Sequence, residues 1–66
     1  MNIYIVTAHF DRSGLVKQWE AEAPTAACAL IIVVDSYDWW SVVKDNGQPD
    51  KVCIEVAEVI TVEVED

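Results

Sequence analysis

Basic side chains are scarce in this chain. Lys and Arg number 4 against 12 Asp and Glu, for a formal net charge of −8. A surface of that sign repels nucleic acid and anionic membrane, so direct binding to either is not expected, and it favours basic partners. Plain solubility explains the same imbalance, and charge alone does not choose between the two. Histidine occurs once, at His9, and cysteine twice, at Cys28 and Cys53. Two cysteines make no disulfide framework, although one bridge between them is open geometrically. Buried thiols in a reducing cytosol are the expectation. The three soft ligands fit no CxxC or HxxxH spacing, and a structural zinc site needs a fourth. The acidic loop at residues 45–50 has oxygen donors but not the EF-hand spacing, and no Glu closes it. No metal or cofactor is therefore expected.

Catalytic constellations are equally scarce. His9 falls mid-strand with no nucleophile or carboxylate motif beside it, and the residues favour a solvent-facing histidine over a general base. There is no glycine-rich phosphate loop, and the chain reads as a non-enzyme. The longest apolar run, Ala26–Val34, is far below the ~20 residues that span a bilayer. The start, Met1-Asn2-Ile3-Tyr4, lacks the basic region of a signal peptide. The expected location is the cytoplasm. No repeat, linker or low-complexity segment interrupts the chain.

The content that remains suits one small folded domain of 66 residues, 53% of them hydrophobic. A chain this short buries only about 60% of its unfolded surface, so nearly every large apolar side chain is needed inside or in a homodimer interface. Asn2–Phe10 alternates Tyr4, Val6, Ala8 and Phe10 with Ile3, Ile5, Thr7 and His9. Both sets are largely apolar, which predicts a central strand. Asp11-Arg12-Ser13-Gly14 is a turn, with Gly14 free to take positive φ. Leu15–Ala23 alternates again, with Trp19 inward and Glu20 and Glu22 outward, completing a β-hairpin.

Thr25 is placed to N-cap a helix over residues 26–36, with Ala27, Leu30, Ile31 and Val34 as its core-facing stripe. The β-branched run Ile31-Ile32-Val33-Val34 would also suit a buried strand. Ala26, Ala27 and Ala29 and the cap favour helix. Such a helix is apolar nearly all round, so Ile32 and Val33 must be covered by loops or lie in an interface. Residues 39–44 read as a third strand, whose parity sends Trp39 and Trp40 to opposite faces, one core and one free to anchor a partner. Asn46-Gly47 and Pro49 mark a turn. Residues 51–64 read as a fourth strand. Glu58 falls on its apolar face, which suggests a bulge, a bend or the sheet's edge there, and the strand's length predicts a bend near Ala57 and Glu58. The fold class expected is α+β: a β-β-α-β-β two-layer sandwich, with one helix on one face of a four-stranded, mostly antiparallel sheet.

Two acidic features are candidates for partner binding. Asp35 and Asp38 flank Tyr37 at the end of the expected helix, where the macrodipole disfavours anions by a few tenths of a kcal/mol. They either stop the helix or face a partner. Glu55, Glu63 and Glu65 share a strand parity, at about 6.6–6.8 Å per step. A row of that pitch matches the scale of phosphates along a DNA strand. It also serves simply to keep a sheet edge from aggregating. Together with Glu20, Glu22 and Trp40, these residues form the candidate partner-binding set.

In size, acidity and hairpin-helix-hairpin layout, the chain resembles small phage- or prophage-encoded inhibitors of the anti-CRISPR type. The resemblance is carried by the strand Met1-Asn2-Ile3-Tyr4-Ile5-Val6, the junction Trp19-Glu20-Ala21-Glu22-Ala23-Pro24-Thr25 and the acidic strand. It covers the whole chain. It implies a protein that acts in the host cytoplasm, binding a nuclease, a CRISPR complex or a DNA-binding protein and blocking its nucleic-acid surface as a DNA mimic. The alternative is a homo-oligomeric module that uses the apolar helix and the tryptophans.

Overall fold

In the computed structural model, which describes residues 1–59, the elements run β1 (Asn2–Phe10), β2 (Leu15–Ala23), α1 (Ala26–Val34), α2 (Tyr37–Asn46) and β3 (Lys51–Val59). Among the described residues the sheet has 3 strands in the order β2-β1-β3. Both pairings are antiparallel, from Asn2 opposite Ala23 to Phe10 opposite Leu15 on one side and from Asn2 opposite Val59 to His9 opposite Lys51 on the other. β2 and β3 therefore run parallel to each other with β1 between them. A connection between parallel strands needs a crossover, and the two helices supply it across one face of the sheet.

The hairpin forms where the alternation and the turn place it. Gly14 takes φ 74°, and its N–H donates to the Phe10 carbonyl at 2.8 Å. Thr25 caps α1 as expected, its hydroxyl accepting from the Cys28 N–H at 3.2 Å. The bulge is present too. Tyr4 faces Val56 while Ile3 faces Glu58, leaving Ala57 as the extra residue. The continuation of this strand expected beyond residue 59 lies outside the described residues.

The expectation of four strands and one helix is overturned at residues 37–46, which are helical. The β-forming aromatics and valines there are outweighed by the signals at the ends of the segment. The Ser36 hydroxyl accepts from the Trp39 N–H at 3.3 Å. Asp38 occupies the first turn and Lys44 the last, each on the side the macrodipole favours. Gly47, at φ 80°, closes the end by donating to the Val43 carbonyl at 2.8 Å. Asn46-Gly47 thus stops a helix instead of joining two strands. The same Ser36 hydroxyl donates to the Val33 carbonyl at 2.6 Å, so one side chain finishes α1 and starts α2. The helix axes bend by 69° at this joint. No single helix among the described residues is long and apolar enough to cross a membrane.

The core lies between the sheet and the helices. Tyr4, Val6, Ala8 and Phe10 of β1 meet Ala21 and Ala23 of β2, Ala29 and Val33 of α1 and Trp39 of α2. The alanines let α1 approach β2 closely. The stripe expected on α1 is corrected by the same contacts. Ala29 and Val33 are buried, Leu30 and Val34 half-buried, and Ala27 and Ile31 exposed. With no polar residue to mark its outer side, the helix settles by shape and not by pattern. α1 lies chiefly over β2 and β1. Val52 and Val56 of β3 stand in register with Ala8 and Tyr4 but remain exposed.

Candidate acidic interface

The helices cover only one face of the sheet. The opposite face is set by strand parity: Ile3, Ile5, Thr7 and His9 run down its centre on β1. The register sets Glu22, Glu20, Gln18 and Val16 beside them on β2, and Glu55, Cys53 and Lys51 beside them on β3. Ile5 is thus flanked by Glu20 and Glu55. The bulge at Ala57 shifts the register so that Glu58 comes opposite Ile3, the residue that faces Glu22 on the other side. Further along, Gln18 donates to the Thr7 hydroxyl at 3.3 Å. His9 and Lys51 end the row. The face is acidic at the end with the isoleucines and turns polar, then basic, at the other.

Glu20, Glu22 and Glu55 are exposed, while Ile3 and Ile5 are half-buried between them. Adjacent strands lie about 4.8 Å apart, which puts the backbones of Glu20 and Glu55 about 10 Å apart. Two charges at that distance in water repel by about 0.4 kcal/mol, so the fold carries them at little cost. Among the described residues the one ion pair joins Lys17 Nζ to Asp38 Oδ2 at 3.9 Å, on the helix-covered side. No lysine or arginine of the described residues pairs with Glu20, Glu22 or Glu55.

The rest of the candidate set divides differently. Asp38 is engaged inside the molecule, accepting from Trp19 Nε1 at 2.6 Å. That bond holds Trp19 against Trp39, their ring centroids 5.2 Å apart and tilted at 55°. Asp38 also starts α2 instead of ending α1, so the dipole cost expected for the pair falls on Asp35 alone. Asp35 and Trp40 lie on the helical layer, away from the glutamates. Trp39 is buried and Trp40 is 56% exposed, a split imposed by helical rotation and not by strand alternation. Glu63 and Glu65 fall outside the described residues. What sequence reasoning missed is the apolar centre of the acidic face, Ile3 and Ile5. Their alternation is visible in the sequence, but not that the helices of the described residues leave one side of β1 uncovered.

Cys28 and Cys53 are free and half-buried, on opposite sides of the sheet. No three His, Cys, Asp or Glu side chains converge as a metal site among the described residues. Comparison of the chain with family models, with characterised proteins and with solved structures finds no match.

Proposed function

We propose that this chain is a non-enzymatic binding protein that docks the open face of its sheet on a basic, nucleic-acid-handling protein and inhibits it. The observation that carries the reading is the placement of Glu20, Glu22 and Glu55 around Ile3 and Ile5, with no pairing cation from the described residues. Carboxylates of this kind steer a basic partner and set its orientation. The isoleucines supply the apolar centre that a specific interface needs, with the acids as its rim. The net charge of −8 lends the same surface a long-range pull on cations.

The test begins with capture of partners from the encoding cell, followed by calorimetry of the purified pair between about 50 and about 500 mM salt. Affinity should fall as salt rises. A variant with Glu20→Gln, Glu22→Gln and Glu55→Gln together should bind more weakly and with a shallower salt dependence. The partner's own nucleic acid should compete. Affinity indifferent to salt and to the triple substitution would refute the proposal.

A further inference from the structure

The helical layer carries a second surface that the acidic face does not include. Leu30, Ile31 and Val34 of α1, Asp35 at its end and Trp40 of α2 line an open, mainly apolar groove of about 500 Å³ in the elbow between the helices. Leu30 and Val34 are half-buried and form its floor. Ile31, 66% exposed, and Trp40, 56% exposed, form its walls. Exposed apolar side chains that adjoin one another in a groove, unlike single scattered ones, favour an interaction site.

Three features make the groove negative at one end. The last turn of α1 has no basic residue, so no cationic side chain of that turn offsets the negative end of its dipole, although the Asp35 and Ser36 N–H groups and the Ser36 hydroxyl bond the Ile31 and Val33 carbonyls. Asp35 adds a full charge at the same end and forms no ion pair with any described residue. Trp40 offers an indole face, which attracts cations by its quadrupole. A carboxylate, a helix C-terminus and an indole around an aliphatic floor complement an apolar side chain followed by a Lys or Arg.

We infer that this groove binds a short amphipathic helix of a partner protein, its apolar residues on Leu30, Ile31 and Val34 and a basic residue between Asp35 and Trp40. A second copy of the chain complements it poorly, because each copy brings a net charge of −8. The groove and the acidic face lie on opposite sides of the sheet. A protein using both holds two partners, or two segments of one, at once. This inference does not depend on the proposal for the acidic face.

The test is calorimetric titration of the intact protein, at about 150 mM salt, with a synthetic helix bearing leucines on one face and lysines on the other. Two further peptides carry serine for leucine and glutamate for lysine. The leucine-lysine peptide should bind, and both of the others should fail. Trp40→Ala or Ile31→Ser should weaken binding about tenfold or more, as for a central interface anchor, and Asp35→Asn several-fold. The triple glutamine variant of the acidic face should bind the peptide as the wild type does. Circular dichroism confirms that each variant folds, which exposed positions allow. Binding of the serine peptide, loss of binding in the triple variant or no effect of Trp40→Ala would each overturn the inference. So would a dimer, seen by light scattering, that Trp40→Ala dissolves, since it would give the groove to a second copy.

Discussion

Replacing Ser36 by alanine tests the joint on which the helical layer hangs. The hydroxyl accepts from the Trp39 N–H and donates to the Val33 carbonyl. Loss of an N-cap costs typically about 1 kcal/mol. Loss of the second bond adds about 0.5–1 kcal/mol, toward the low end because Ser36 is half-buried and water can reach the carbonyl. The sum is about 1.5–2 kcal/mol. A domain of this length has roughly 3–10 kcal/mol in all, so the loss is a large fraction. At about 4–8 °C per kcal/mol for small domains, the melting midpoint should fall by about 6–16 °C. Thermal melts followed by far-ultraviolet circular dichroism measure this, with urea titration as a check. Ser36→Thr keeps a capping oxygen and should recover most of the loss. If Ser36→Ala melts within about 2 °C of the wild type, the hydroxyl does not join the helices, and the account of why residues 37–46 coil is wrong.

Asp38→Ala removes the acceptor of the Trp19 indole and the partner of Lys17. It should cost about 1.5 kcal/mol, the lower end for a hydrogen bond to a charged group because the site is exposed. It should also weaken the near-ultraviolet circular dichroism of the Trp19–Trp39 pair, while Asp38→Asn preserves most of both. Val33→Ala and Ile31→Ala compare the two sides of α1. The first empties a buried site, 3% exposed, and should cost about 2 kcal/mol in urea unfolding. The second, at a site 66% exposed, should stay within about 0.5 kcal/mol. Equal costs would mean that α1 is rotated from the orientation described.

The parts of the fold that could be read from the sequence are those where one pattern had no rival or, as in α1, where the cap and alanines outweigh a β-branched run. The hairpin has two clean alternations and a glycine turn between them. α1 has Thr25 ahead of three alanines. The bulge showed itself because Glu58 broke an apolar parity. At residues 37–46 the signals conflict more evenly, and there the strand reading fails. Trp39, Trp40, Val42 and Val43 favour a strand by propensity, yet Ser36, Asp38, Lys44 and Gly47 together specify both ends of a helix. End signals fix hydrogen bonds that propensity only biases. The orientation of α1 was not legible, because an element apolar on every side carries no mark of its inner face. The outward direction of Glu20, Glu22 and Glu55 was legible from parity. Their assembly was not, since it needs β3 beside β1 and the helices on the other side. Asp38 was misread for the same reason as α2: its role depends on which helix it belongs to.

Among the described strands, β1 alone is hydrogen-bonded along both of its edges. Its first neighbour follows immediately in the chain, but its second is β3, which comes only after both helices. During synthesis, one edge of the middle strand therefore stays bare until the ribosome has released everything in between. Pairing so distant in sequence is slow to form, and an unpaired edge invites foreign strands in the meantime. The described sheet is complete only once β3 arrives, and substitutions there should alter the yield of folded protein in the cell more than their effect on the finished structure suggests.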